Sequence, residues 1–482
     1  MLLVIAAQGQ TLQYSAELNG VAGTGAFAPF WHVANRQGLG GVRSNNAYMR
    51  LGVAGDYHFG KNRNWYVEYG LDAAGGIKQT APVFIQQAYA NIGWKMLSLQ
   101  VGQQERWSNF KNPRLTTGGL TESGNARPVP QVRFEVTDYW DLFRTNGWFT
   151  VRGHIAYGCF TDGNWERSFV PEGKAYNTNA LYHSKAIYFK GGDARKFPLT
   201  LEFGLEMVAQ FGGRIVNAWN IVGANVKNPA RFKDYLMVLV PIKGDSQYSG
   251  MDQANIAGNQ LGSWHGAITW NEDNWNIRTY YEHAFEDHSQ MFWEYGLWVE
   301  QLVGVELTLK KFKWIKSVAF EYFNLKDHSG PIYHDSTDRI PDQISCEDDN
   351  YNHGWYGGWF NYGMMIGTPL CTSPVYNSDK LLKCYNNRVE AFHLGIEGEP
   401  LSCLAYRLLI TKSNNWGTYS NPFTDIKSNV SGLVELTFSP TRLKGWSATA
   451  SFAFDSGTMY GNNYGAMVSI KKCGLFNFDK KR

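Results

Sequence analysis

The chain has 482 residues, and its 45 basic and 42 acidic side chains give a formal net charge of +3. Because the charges nearly balance and no Lys/Arg-rich run occurs, the composition argues against a nucleic-acid-binding protein. Charged residues make up 18% of the chain, aromatic residues 15%, and glycines number 51. Aromatic girdles, small lumen-facing residues and tight turns give outer-membrane β-barrels this mixture. A large β-sandwich or propeller is the soluble alternative.

The amino-terminal segment, MLLVIAAQGQ, resembles the end of a secretory signal. Residues 2–7 have the character of a short hydrophobic region, and residues 6–8 that of a small-residue cleavage zone. The basic residues that normally precede such a region are missing, so a stray hydrophobic start is the alternative. We expect residues 1–10 to be a residual signal-peptide-like segment and residues 11–482 to form a single outer-membrane β-barrel domain. No run of about 18 apolar residues occurs, so the sequence predicts no transmembrane helix.

Residues 48–59, YMRLGVAGDYHF, alternate strictly between two kinds of side chain. A period of two is typical of a β-strand, because successive side chains leave a strand on opposite sides. The length is close to the roughly 9–11 residues that a tilted strand needs to cross a bilayer. We expect one face to contact lipid, with Met49, Leu51, Val53, Tyr57 and Phe59. We expect the opposite face to line the lumen, with Arg50, Asp56 and His58.

The same alternation recurs along the chain, with turns that are alternately short and long. It indicates an all-β membrane protein, a large closed antiparallel transmembrane β-barrel of about 14–18 strands with a few short helices and long extracellular loops. The further predicted strands are 14–21, 65–73, 83–94, 97–105, 132–143, 149–157, 199–207, 261–271, 275–286, 298–309, 315–325, 389–399, 404–411, 429–438, 446–455 and 464–476.

Three intervals break the alternation. Residues 106–131 contain prolines at 113, 128 and 130, which a central strand does not accommodate. Residues 228–241 predict an amphipathic helix on or in the barrel mouth, with Phe232, Tyr235, Leu236 and Leu239 on its apolar face. Residues 326–388 form the longest interval without periodicity, and loops of that length are usually functional.

The cysteines and the acidic residues show no metal-binding pattern. Six cysteines without CxxC spacing argue against zinc. Cys346, Cys371 and Cys384 share one loop region, and both a disulfide and free thiols remain open. An acidic stretch in the same region lacks EF-hand spacing, which favours a solvated loop over a calcium site. We expect no metal and no cofactor; the acidic residues are Asp335, Asp338, Asp342, Glu347, Asp348 and Asp349.

Two segments carry a resemblance to a known family. PFWHVANRQG at residues 29–38 and GLTESGNARPVPQ at residues 119–131, set in a large aromatic-rich barrel, resemble the capsule assembly Wzi family. The resemblance covers essentially the whole chain. It implies an 18-stranded barrel in the cell outer membrane, with periplasm-side helices and an extracellular side closed by loops. It also implies lectin-like binding of capsular polysaccharide or exopolysaccharide, which holds the polymer on the cell surface.

The loop YNHGWYGGWFNYG, residues 351–363, packs six aromatic residues among glycines and asparagines. Aromatic rings stack on the C–H faces of sugars, while amides and carboxylates bind the hydroxyl groups. We therefore choose Trp355, Tyr356, Trp359 and Tyr362 as candidates for a glycan platform. An interfacial aromatic belt or a self-packed loop core is the alternative.

In the second family-like segment, Glu122, Asn125 and Arg127 have the groups to hydrogen-bond a polysaccharide, and arginine pairs bidentately with acidic sugars. The alternative, which rigid Pro128 and Pro130 favour, is that they fix the loop itself or line the lumen. The same pair of interpretations applies to the residues of the first segment: Trp31, His32, Asn35 and Arg36.

No arrangement of residues indicates catalysis. The histidines are scattered, and no G-x-S-x-G motif occurs. We expect a non-enzymatic outer-membrane lectin that binds capsular or extracellular polysaccharide and helps to assemble or anchor the capsule; the alternative is an outer-membrane porin or transport channel. The expected partners are this polysaccharide and outer-membrane lipid, with no nucleic acid, and the expected state is a monomer.

Overall fold

The computed structural model describes residues 11–248, 252–253, 256–286, 290–294, 296–328 and 349–476. Eighteen strands form one sheet in which each strand pairs antiparallel with its neighbours in sequence. The last strand pairs with the first, opposing Lys471 to Glu17, and this closes the barrel. The structure confirms the predicted closed antiparallel barrel. The strands are β1 Thr11–Thr24, β2 Asn46–Phe59, β3 Trp65–Ile77, β4 Val83–Trp94, β5 Leu97–Gln103, β6 Gln131–Trp140, β7 Phe149–Cys159, β8 Leu181–Gly191, β9 Leu199–Phe211, β10 Asn259–Asn271, β11 Trp275–Glu286, β12 Gln301–Leu309, β13 Ser317–Asn324, β14 Val389–Leu401, β15 Leu404–Gly417, β16 Pro422–Phe438, β17 Trp446–Gly457 and β18 Asn463–Phe476.

Strand β2 has the two faces that its sequence predicts. Met49 and Leu51 are about half exposed on the outer wall, where an outer-membrane barrel meets lipid. Arg50 points inward, and its Nη2 lies 2.5 Å from Asp72 Oδ2 and 3.0 Å from Glu105 Oε1. The alternation therefore separates an apolar outer wall from a polar lumen.

The two ends of the barrel differ in the length of their connections. At one end, turns as short as 95–96 and 402–403 join the strands. At the other end lie the connections 104–130, 160–180, 212–258 and 325–388. Outer-membrane barrels have short periplasmic turns and longer extracellular loops, so the long-loop end faces the cell exterior.

Strand β8 is missing from the sequence prediction. Its outward His183 is fully buried, because a helix covers this part of the outer wall. Outward Lys185 donates from Nζ to the carbonyl oxygen of Val238 in that helix, at 2.7 Å. Its inward face carries Tyr182 and Tyr188, which are also buried. The outward face of β8 therefore carries polar groups and its inward face carries aromatic groups. This is the reverse of an ordinary barrel strand, so the sequence does not show the expected alternation.

The α-helices with described bounds are α1 Phe30–Val33, α2 Gly163–Phe169 and α3 Phe232–Leu239. All three lie in connections of the long-loop end, which corrects the implied periplasm-side helices. Within the described ranges, no helix has the length and apolarity to span a membrane.

Helix α3 begins four residues later than predicted, because Arg231 and Asp234 cap its first turn. It packs on the outer wall at the extracellular rim, where Val238 contacts Ala209 and Phe211. The predicted apolar face is incorrect in part, since Phe232 and Leu236 are exposed and Asp234, Met237 and Val238 are buried.

The lumen is filled at its extracellular end by three segments, 25–45, 104–130 and 349–388, which we call the plug. Its largest fully buried side chain is Trp359, which lies in one apolar cluster with Leu115 and Leu120. Polar contacts join the plug to the barrel wall. Glu321 of β13 accepts hydrogen bonds from the side chains of Thr116, at 2.5 Å, and Thr117, at 2.6 Å. Such satisfied buried contacts fix one arrangement of the plug.

Candidate functional site

Two residues of the predicted glycan platform lie inside the plug. Trp359 Nε1 donates to the carbonyl oxygen of Thr121 at 2.8 Å, and its ring stacks on Tyr182 with the planes 16° apart. Tyr356 is buried, and its hydroxyl donates to the carbonyl oxygen of Gly212 at 3.3 Å. Neither ring offers a free face in this structure, so both belong to a self-packed loop core.

The second family-like segment holds loops together. Asn125 is buried and donates from Nδ2 to the carbonyl oxygen of Met365 at 2.9 Å. The Arg127 guanidinium is also buried, 3.5 Å from the ring centroid of Phe84 and 4.6 Å from that of Tyr362. These contacts hold the loops together, and the Arg127 guanidinium lies over the ring of Tyr362.

The remaining predicted residues lie in three different parts of the molecule. Trp31 is buried in the plug, with its ring centroid 5.1 Å from that of His393. Glu122 accepts a hydrogen bond from the Tyr182 hydroxyl and lines a cavity in the lumen. Trp355 is partly buried and lines a pocket that three loops build at the extracellular end.

This surface pocket has a volume of about 360 Å³. Its residues come from the connections 160–180, 212–258 and 349–388, so it exists only in the folded chain. We call it the tryptophan pocket. Its walls combine aromatic rings with amide, carboxylate and ammonium groups: Tyr176, Asn177, Trp219, Asn220, Asp349, Asn352, His353, Trp355 and Lys383.

Two indoles dominate the tryptophan pocket. The rings of Trp219 and Trp355 lie 6.1 Å apart at 76°, an edge-to-face arrangement. Trp219 is 67% exposed, and its φ of +56° lies in the left-handed region that bulky residues rarely adopt. Asn220 holds this backbone in place, since its Oδ1 accepts a hydrogen bond from the Ala175 amide at 3.0 Å. Backbone strain of this kind clusters at functional sites.

The polar side of the pocket is preorganised around Asp349. Its Oδ1 accepts hydrogen bonds from Asn352 Nδ2 at 2.9 Å and from Asn387 Nδ2 at 2.7 Å. Its Oδ2 lies 3.8 Å from Lys383 Nζ. Both a carboxylate and an ammonium group are thus available beside the indoles.

His353 positions Trp355 through the backbone. Its Nδ1 accepts hydrogen bonds from the amides of Trp355, at 3.1 Å, and Tyr356, at 3.4 Å. Burial lowers the pKa of His353 to about 4, although Asp252 Oδ1 lies 3.9 Å from Nε2. The ring is therefore neutral at physiological pH, which this pair of accepted hydrogen bonds requires.

Trp219 is not predicted from the sequence as a binding residue, because a single tryptophan in the connection 212–258 carries no periodic signal. The only local sign is its neighbours Asn217 and Asn220, since asparagine tolerates positive φ. Other predictions concern cysteines and acidic residues. Cys371 and Cys384 are buried free thiols, and Cys346 lies outside the described residues. The acidic stretch also lies outside them, apart from Asp349: Asp335, Asp338, Asp342, Glu347 and Asp348.

Comparison with known proteins bears on the fold. No family model matches the chain, and no curated protein matches it. The barrel is similar to Wzi of Escherichia coli, described as a carbohydrate-binding β-barrel involved in group 1 capsule assembly, with 12% identity, 95% of this chain and 83% of that chain covered, and a TM-score of 0.56. It is also similar to Acinetobacter baumannii OccAB4, which is 8% identical, with 97% of this chain and 98% of that chain covered and a TM-score of 0.47. Pseudomonas aeruginosa OccK5 is 6% identical, with 97% of this chain and 98% of that chain covered and a TM-score of 0.48. The likeness to the Wzi barrel and the closed sheet with its apolar outer wall make the chain a β-barrel protein of the cell outer membrane.

Proposed function

We propose that this protein is an outer-membrane lectin of the capsule assembly Wzi type, which binds capsular polysaccharide or exopolysaccharide and holds it at the cell surface. The observation that carries the proposal is the tryptophan pocket at the extracellular end. The proposed role is binding without catalysis.

The chemistry of the pocket suits a sugar ring. Indole faces stack on the C–H side of a pyranose, and we take for each such contact the order of magnitude of an aromatic pair, about 0.5–1.5 kcal/mol. Asp349, Asn352 and Lys383 lie beside the indoles and offer acceptors and donors for hydroxyl groups. Trp219 is exposed although exposure of an indole to water is unfavourable, and a stacking ligand relieves that cost.

A surface site that binds only one or two sugar units also suits a polymer. The repeat of a polysaccharide presents the same unit many times, so local rebinding raises the effective affinity of a weak site. The plug supports this role as well, because it closes the extracellular end of the lumen. The Escherichia coli barrel of the same fold is described as carbohydrate-binding, which agrees with the proposal.

We predict that capsule retention depends on the two indoles. Cells that carry the Trp219→Ala/Trp355→Ala protein should release capsular polymer into the medium while total polymer synthesis is unchanged. Trp314→Ala is the matched control, since this indole is as exposed as Trp219 but lies in the connection 310–316 at the opposite end. Immunoblots of outer membranes verify equal amounts of protein. Retention of the polymer by the double variant would contradict the proposal.

A transport channel is the second candidate function. The observation in its favour is a cavity of about 500 Å³ in the lumen, lined by Ser15, Asp72, Gln87 and Lys471. For a channel, the plug would have to leave the lumen. Planar-bilayer recordings separate the two functions: a closed lectin gives no stable conductance, whereas a steady open pore would favour transport.

A further inference from the structure

The plug has an exposed tryptophan that faces the lumen instead of the cell exterior. Trp107 lies near the start of the connection 104–130 and is 46% exposed. Its ring packs on the backbone of Gly124, because a Cβ added there would fall 2.3 Å from Trp107 Cζ3. The glycine of the second family-like segment thus supports one side of this indole, and the indole also borders a cavity.

This cavity has a volume of about 350 Å³, within the range of small-molecule sites. Plug residues such as Glu122 and Ile366 and inward residues of β6 to β9 line it. Inward residues nearer the short turns, such as Thr137, are exposed, so the cavity opens toward the periplasmic end. It therefore lies on the opposite side of the plug from the tryptophan pocket.

The cavity wall contains hydrogen-bonding groups that the described protein atoms do not satisfy. Gln131 is more than nine-tenths buried and lines the cavity, yet its Oε1 has no partner among the described residues. Buried polar atoms are normally paired, so this side-chain amide has an unused acceptor that a ligand at the cavity wall can engage once the amide turns toward it. Beside it, Arg133 Nε forms an ion pair with Glu135 Oε2 at 2.5 Å.

We propose that this cavity is a second saccharide site, which binds one or two units of a hydroxyl-rich glycan from the periplasmic side of the plug. The Trp107 indole stacks on the sugar ring, and Gln131 Oε1 accepts a hydrogen bond from a hydroxyl group. Glu122 and Arg133 supply further contacts for hydroxyl groups. The site shares its ligand class with the proposed function but none of its residues, so either stands without the other.

The test uses the full chain in nanodiscs, where both ends of the barrel are accessible. The probes are maltohexaose, which is neutral, and hexagalacturonate, which is a polyanion. In the Trp219→Ala/Trp355→Ala background, calorimetry should still detect saturable binding of one probe. Adding Trp107→Ala should weaken this binding by about two- to tenfold. Adding Trp148→Ala should leave it unchanged, since Trp148 is equally exposed, at 46%, but lies in the connection 141–148.

Gln131→Leu separates binding from folding. It removes an unsatisfied acceptor, so heat-modifiable migration on gels should show a barrel at least as stable as its parent. Its affinity for the probe should nevertheless fall. Absence of saturable binding in the double-variant background would overturn this inference and leave the tryptophan pocket untouched. Equal losses with Trp107→Ala and Trp148→Ala, or unchanged affinity in Gln131→Leu, would also overturn it.

Discussion

His353 controls the extracellular site although other residues carry the aromatic surface. Its neutral Nδ1 accepts the backbone hydrogen bonds that set the turn before Trp355. Burial holds the pKa of His353 at about 4, against about 6.5 for an exposed imidazole. A folded-state pKa below the unfolded value means that the neutral form stabilises the local fold. This stability is complete above pH 6.5 and is lost as the pH falls toward 4.

Asn352 and His353 pair antiparallel with Gly358 and Gly357 in a short hairpin, and we predict that acid opens it. The free energy of local opening should fall by up to about 3 kcal/mol between pH 7 and pH 4, from about 1.4 kcal/mol for each unit of pKa shift. Hydrogen exchange of residues 352–358, corrected for intrinsic rates, measures this change.

The matched variant for this experiment is His353→Asn. Its side-chain oxygen accepts a hydrogen bond at a similar position but does not titrate, so opening of the hairpin should no longer depend on pH. Equal pH dependence in this variant and in the wild type would assign the effect to other groups.

At the scale of elements, the sequence is most informative where lipid and water impose opposite demands. Strict alternation identifies every barrel strand except β8, whose outward His183 is covered by helix α3. Other boundaries differ by a few residues. Strand β15 ends later than predicted, at Gly417, and strand β16 begins earlier than predicted, at Pro422. The alternation is lost there because the residues next to their connection are polar on both faces.

The loops were less predictable, since tertiary neighbours decide the role of each aromatic residue. Trp355 and Trp359 lie in one short glycine-rich run and have similar local sequence. Thr121 accepts the hydrogen bond of Trp359 inside the plug, whereas Trp355 meets Trp219 at the surface. Contacts between residues more than a hundred positions apart leave no periodic signal. Composition therefore identified the loop but did not separate its buried rings from the partly buried Trp355 of the surface pocket.

At the scale of the whole molecule, the plug divides the barrel into two compartments. The tryptophan pocket lies on its extracellular side, and the Trp107 cavity lies on its lumen side. Polar contacts such as those of Glu321 hold the plug against the wall. The described plug segments therefore separate the two proposed binding sites, one on each side of the plug.

Binding of polysaccharide by the tryptophan pocket is measured with a glycan array on purified wild-type protein, the Trp219→Ala/Trp355→Ala variant and the Trp314→Ala control. We predict that the wild type and the control bind the same polysaccharide. The double variant should bind it about tenfold or more weakly, because each lost aromatic contact removes about 0.5–1.5 kcal/mol. Absence of wild-type binding across the array, or equal binding by the double variant, would contradict the account.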